Sequence, residues 1–117
     1  MKKVTKNKEN KMITLDDFKK LELKVAKIIE VKEHPNADKL YLLTVDLGDR
    51  EKQLIAGLRE HYRPDELKGK QVIVIDNLEP AVIRGIKSEG MLLAAQDDER
   101  ISILIPEKEV KLGSNIR

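Results

Sequence analysis

Apolar and polar positions change period several times along the 117-residue chain. Residues 1–11 (MKKVTKNKENK) show no periodicity and few apolar groups, which reads as a mobile basic arm. Regular structure is expected to start at Thr14. Its hydroxyl can cap a helix, Asp17 stands three residues on, and the Asp16-Asp17 pair suits the positive end of a helix. This predicts a short helix over residues 15–20 with Leu15 and Phe18 on its buried face. Residues 21–32 (LELKVAKIIEVK) fit two templates. Leu21, Val25, Ile28 and Ile29 would share a helix face, but alternation of Leu21, Leu23, Val25, Ile29 and Val31 with charged residues explains more positions. One long strand is predicted, bent or bulged near residues 26–28.

His34-Pro35-Asn36-Ala37-Asp38 reads as a turn, because proline fixes φ and Asn and Asp bond to nearby backbone. A second strand follows over residues 40–45, a hairpin at Gly48-Asp49, and a third strand over residues 52–56. Pro64-Asp65-Glu66-Leu67 looks like one helical turn closed by Gly69. Val72-Ile73-Val74-Ile75, apolar on both faces, predicts a central strand. Residues 76–90 read as a loop, and residues 91–95 and 101–105 as a last hairpin around Asp97-Asp98-Glu99. Five to seven short strands without βαβ alternation exclude a doubly wound sheet. The fold class is all-β: a five-stranded antiparallel barrel of the OB type, with a short N-terminal helix and a small helical insertion. Residues 12–117 form one domain behind the arm.

Composition sharpens this picture in three places. The net charge of +2 hides an asymmetry: five lysines oppose one glutamate in residues 1–11, so the body carries a net negative charge. Any anionic partner must therefore meet a local patch, the arm, or both. The absence of cysteine removes disulfides, thiolate metal sites and thiol nucleophiles. No long apolar run is present, so a membrane span is not expected, and the cytoplasm is the default location.

The chemistry available is sparse. There is no GxxxxGK[ST], GxGxxG or HExxH, and the two histidines, His34 and His61, lack a third metal ligand nearby. His34 reads as a surface-turn histidine. The expectation is a non-catalytic protein with no metal and no cofactor. Three aromatic residues, Phe18, Tyr41 and Tyr62, give few platforms for stacking bases, and Phe18 is expected in the core. If the ligand is nucleic acid, charge and backbone shape should dominate, which favours a structured RNA.

Two blocks, His34-Pro35-Asn36-Ala37-Asp38-Lys39-Leu40 and residues 84–95 (RGIKSEGMLLAA), resemble the tRNA-binding OB domain associated with aminoacyl-tRNA synthetases. That domain occurs at the C-terminus of bacterial methionyl-tRNA synthetases, in multisynthetase complexes, and as small free-standing proteins. The similarity spans about residues 12–117. It implies structure-specific tRNA binding as a trans cofactor or β subunit of a synthetase, with the methionyl enzyme the expected partner, and a homodimer. It also implies RNA contacts by Lys39, Ser88 and Met91, with Arg84 in the family's basic position and Asn36 as the motif asparagine. Many relatives carry glycine where Ala26 stands, so the bend in the first strand must be made with a Cβ present. The secretion-related chaperone CsaA has a similar barrel and dimer. A CsaA-like protein-binding chaperone is the alternative reading, and Gly90-Met91 tilts against it.

Each residue also has an architectural role to weigh. Lys39 and Arg84 can be ordinary exposed cations, and Ser88 and Asn36 can be turn formers. Met91 can be a core thioether. Arg50 and Lys52 flank a hairpin tip, where they either widen a basic patch or are simply solvated.

Overall fold

The structure is a computed structural model that describes residues 11–117, so of the basic arm only Lys11 falls within the described residues. Helix α1 (Leu15–Lys19) begins as its sequence demands. The Asp17 amide donates to Thr14 Oγ1 at 3.0 Å, and the Thr14 amide donates to Asp17 Oδ2 at 3.1 Å. Its packing differs from expectation. Leu15 is 67% exposed, Phe18 is only half-buried, and no residue of α1 is buried. The cap fixes the start of the helix, but the described barrel does not cover its apolar side.

Strand β1 (Leu23–Glu33) pairs with two neighbours in succession. Residues 23–27 pair with β4 (Gln71–Ile75), and residues 27–33 pair with β2 (Tyr41–Asp46). The register shifts between Ile28 and Glu30. The irregularity therefore sits at Ile29, later than residues 26–28; Ala26 and Ile28 join the main core cluster, Val25 is buried as expected but outside that cluster, and Ile29 is only half-buried. Ala26, fully buried, stands inside the unbroken β1–β4 ladder opposite Val72. A Cβ is accommodated there because the bend is made by the bulge further along.

Strand β3 (Glu51–Ala56) pairs with β2, and β7 (Met91–Leu92) with β4, giving the order β3-β2-β1-β4-β7. Between β3 and β4, α2 (Pro64–Leu67) sends Leu67 into the core. The region expected to be a loop before β7 contains a hairpin, β5 (Ala81–Ile83) with β6 (Ile86–Ser88). The two-residue turn Arg84-Gly85 was not legible as such, since a type I′ turn normally shows Asn or Gly at its first position. A last hairpin joins β8 (Ala94–Gln96) to β9 (Ile101–Ile103). Among the described residues, nine strands thus replace the expected five to seven. The core is aliphatic, with Ile28, Leu43, Val45, Leu54, Leu67, Val72 and Val74 at its centre.

The sheet curls into a nearly closed barrel, and the gap between β3 and the segment before β7 is bridged by side chains. The Ile55 amide donates to Ser88 Oγ at 3.0 Å, the Gln53 amide to Glu89 Oε1 at 3.0 Å, and Gln53 Nε2 to the Lys87 carbonyl at 2.9 Å. One backbone bond, Glu89 N–H to Gln53 O at 2.8 Å, completes the seam. Gly90 lies where β7 leaves this seam, and a Cβ there would stand 2.7 Å from the Ile75 carbonyl oxygen. At Gly57 a Cβ would meet only a Leu40 methyl at 3.9 Å. Gly90→Ala is therefore expected to lose about 1–3 kcal/mol of unfolding free energy, from overpacking against rigid backbone. Gly57→Ala should stay within about 0.5 kcal/mol. Urea unfolding of both variants checks this, and equal midpoints would remove the steric account of the seam.

Candidate nucleic-acid interface

The turn after β1 and the tip of the β5–β6 hairpin are 48 residues apart in sequence and are clasped together. Arg84 donates through Nη2 (2.9 Å) and Nε (3.3 Å) to the Asn36 carbonyl, and Asn36 Nδ2 donates to the Arg84 carbonyl at 3.4 Å. Beneath these exposed bonds His34, 2% exposed, bonds through Nε2 to the Ile83 carbonyl at 3.0 Å, and its Nδ1 accepts the Asn36 amide at 3.0 Å. His34 is thus no surface-turn histidine but the polar pin between the loops. Arg84 itself has φ 53, beside Gly85 at φ 88, as a two-residue type I′ turn requires. Lys39 and Lys87 are exposed on the same pair of loops. Arg59 braces the turn, donating to the Ala37 carbonyl at 3.2 Å and pairing with Glu33 at 3.2 Å.

The other expected contact residues divide. Met91 is 49% exposed and lines an apolar groove of about 340 Å³ with Ile55, Gly57, Leu58, Ala94 and Ile101, so it is not a core thioether. Ser88 is buried, and its hydroxyl donates to Gly90 O at 3.1 Å while accepting from Ile55. It latches the seam rather than facing outward. Arg50 and Lys52 are turned to a different task. Both meet the buried Asp76 carboxylate at the end of β4: Lys52 Nζ lies 2.8 Å from Oδ1 and donates to the Asp76 carbonyl at 2.7 Å, and Arg50 Nη2 pairs with Oδ2. Burial pushes the Asp76 carboxyl up, but the hydrogen bonds and charges of Lys52 and Arg50 outweigh it and hold the group below the ordinary carboxylate range.

The tyrosines are likewise spoken for. Tyr41 is buried and donates to the Tyr62 carbonyl at 2.6 Å, and the Tyr62 hydroxyl accepts the Ile103 amide at 3.1 Å. Tyr62 is half-buried with its hydroxyl engaged, and Phe18 belongs to α1, outside both motif loops. A second cleft, about 670 Å³, lies between the β2–β3 turn and residues 111–114, where Lys24 and Lys111 share space with Asp49. No group of three His, Asp or Glu side chains among the described residues is placed to hold a metal ion, and no described helix is long and apolar enough to cross a membrane.

The site residues that sequence reasoning missed are His34 and Asp76. Asp76 carried a readable signal, a carboxylate placed directly after Val72-Ile73-Val74-Ile75, the most apolar strand of the chain. His34 carried only its place in the first block.

A nearly closed antiparallel barrel with an exposed cationic loop pair and an apolar groove has the architecture of an oligonucleotide-binding fold. Comparison with known proteins narrows the class. A family model described as a putative tRNA binding domain matches residues 23–115, and the chain belongs to that family. It is 56% identical over 117 residues to a methionine–tRNA ligase of Pyrococcus abyssi, covering 98% of this chain and 16% of the relative. A methionine–tRNA ligase of Thermococcus kodakarensis is 56% identical over 110 residues, or 94% of this chain and 15% of the relative. The chain thus spans about one sixth of the length of these curated relatives. Among solved structures, a protein related to methionyl-tRNA synthetase from Pyrococcus horikoshii superimposes with TM-score 0.86 at 29% identity, covering 92% of this chain and 99% of that one. The chaperone CsaA of Picrophilus torridus gives TM-score 0.84 at 32% identity, covering 91% and 100%.

The Asp76 node yields a stability prediction. The unfolded chain returns its carboxyl to the ordinary value of 3.8, above the folded value. The ion pairs therefore stabilise the fold fully above the unfolded value, and this contribution is lost as the pH falls through the folded one. Asp76→Asn is expected to cost about 2–3 kcal/mol at pH 7, less than a fully buried pair because Arg50 keeps contact with water. Urea midpoints should differ clearly at pH 7 and converge toward pH 3.

Proposed function

We propose that this chain holds tRNA by phosphate contact and shape, and that it serves an aminoacyl-tRNA synthetase as a non-catalytic trans cofactor or β subunit in the cytoplasm. The observation that carries the reading is the clasp, which sets Asn36, Lys39 and Arg84 on two exposed loops joined at their tips. Phosphate oxygens accept from such cations without regard to sequence, and the tyrosines, engaged in the barrel, leave little for base stacking. The groove lined by Gly57, Met91 and Ala94 offers an apolar surface beside these cations in this reading. In this assignment Lys39 and Arg84 contact RNA, Asn36 and Met91 border it, and Ser88 acts by holding the seam. Arg50 and Lys52 serve the barrel first and RNA only at its edge. Kinship with methionine–tRNA ligases makes the methionyl enzyme the favoured partner.

Filter binding with unfractionated tRNA tests the proposal. Lys39→Ala with Arg84→Ala should weaken binding at least about tenfold and flatten the salt dependence by about 0.9 for each phosphate no longer neutralised. Binding that is weak at low salt and indifferent to both substitutions would overturn it. Arg84→Gly adds a separation of effects. It relieves a left-handed arginine, so stability should stay within about 1 kcal/mol while affinity falls. Removal of residues 1–11 should also flatten the salt slope if the arm reaches RNA.

A chaperone reading, raised by the likeness to CsaA, makes the opposite demand: suppression of client aggregation with no salt-dependent affinity for tRNA. A homodimer is the expected assembly. Leu15, Phe18, Leu21, Leu23 and Ile116 surround a hollow of about 300 Å³, and Leu15 and Leu21 are exposed there. A second copy would cover this apolar surface. Light scattering should return twice the chain mass of 13.4 kDa, and a 13.4 kDa species at micromolar concentration would dismiss the dimer.

A further inference from the structure

We infer that His34 is a positioning residue for RNA binding, the buried pin that fixes the Arg84 hairpin tip against the turn carrying Lys39. This deepens the tRNA-binding reading and rests on it. The donor pattern of the ring is set by its neighbours. The Ile83 carbonyl can only accept, so Nε2 carries the hydrogen, and the Asn36 amide can only donate, so Nδ1 is bare. The histidine therefore joins its own turn and the hairpin with one ring, using both nitrogens.

Among the described residues, no other bond between these loops is comparably shielded. The three bonds between Arg84 and Asn36 are exposed, where water competes for every donor and acceptor. The His34 bond to Ile83 lies beneath them, and Ile83 is the residue directly before Arg84. Strand β5 has β6 as its sole strand partner among the described residues, and the hairpin is tied to β3 at its root through Lys87 and Ser88. Without His34, the tip would be held only by solvent-exposed bonds. A phosphate-reading site needs its cations at fixed separation, so an untethered tip would lose affinity without loss of any charge.

Two substitutions divide the ring's two roles. In His34→Asn the side-chain oxygen can still accept the Asn36 amide, as in an Asx turn, but it is too short to reach Ile83. In His34→Gln the longer amide can donate to the Ile83 carbonyl and gives up the local turn bond. We expect His34→Asn to weaken tRNA binding about tenfold with a shallower salt slope, and His34→Gln to stay within about threefold. Amide hydrogen exchange across residues 83–86 should quicken in the Asn variant and not in the Gln variant.

Wild-type affinity in His34→Asn overturns the inference. So does equal loss in both variants in step with their melting temperatures, which is what a merely structural role predicts. If wild-type protein ignores tRNA, the functional reading fails, and exchange at residues 83–86 alone decides whether His34 is the anchor. If His34→Asn does not fold, ring nitrogen chemical shifts of the wild type decide. A bare Nδ1 with protonated Nε2 upholds the pin, and the reverse tautomer overturns it.

Discussion

A five-stranded sheet has two edges, and everything else in this molecule depends on how β3 and β7 are brought together. Backbone ladders cannot do it alone, because β7 is two residues long and the segment before it has left the sheet. The hydroxyl of Ser88, the carboxylate of Glu89 and the amide of Gln53 supply the missing partners, each taking a backbone group that would otherwise face the gap. Gly90 allows the chain to turn in against the Ile75 carbonyl without a Cβ. The second motif block is thus partly a closure device. Its exposed side chains include Arg84 at the hairpin tip and Met91 at the groove.

The charges follow the same division. Arg50 and Lys52 have the sequence signature of a basic patch, yet both turn inward to one carboxylate. The Asp76 node ties the β2–β3 turn to the end of β4, and Lys52 also reaches the Glu89 carbonyl at 3.4 Å, so it borders the seam. Arg50 also pairs with Asp49, so the two cations meet two carboxylates, and a cluster that is neutral as a unit contributes little attraction at a distance. On the clasped turn and hairpin the exposed positive charge comes from Lys39, Arg84 and Lys87. A chain whose body is net negative can in this way present a local cationic face to a polyanion.

The barrel was legible in the sequence because strand periodicity, turn residues and the Thr14–Asp17 cap are local signals. Where the pattern misled, the cause was tertiary. The bulge at Ile29 changed which β1 residues face inward, and a periodicity count has no means to see a register shift made against a partner strand. Leu15 is expected inside because an amphipathic helix normally finds cover, and here the described barrel covers Phe18 only in part and leaves Leu15 exposed. The β5–β6 hairpin was hidden by an arginine at a position that favours asparagine or glycine. Of the candidate site, Lys39, Asn36, Arg84 and Met91 are all exposed, as contact with a ligand would require. Ser88, Arg50 and Lys52 were recognisable as residues but not in their geometry. Whether a polar side chain is spent inside the protein depends on partners far away in sequence, such as Ile55, 33 residues from Ser88, and Asp76, 24 residues from Lys52.

Arg84 brings these threads together. A left-handed arginine costs about 1–2 kcal/mol relative to a residue that adopts that backbone freely. Asparagine or glycine would make the same turn at lower cost, so stability alone does not account for the choice. The strain is held by the reciprocal bonds to Asn36 and by His34 below, which together over-determine the tip. Strain maintained by surrounding structure marks a position where the side chain matters more than the fold. An exposed guanidinium held through Nε and Nη2, with three N–H groups still free of Asn36, suits a phosphate, which takes its hydrogen bonds in a forked geometry. On this view the first motif block exists to hold the second one's arginine still, and the two blocks form a single device.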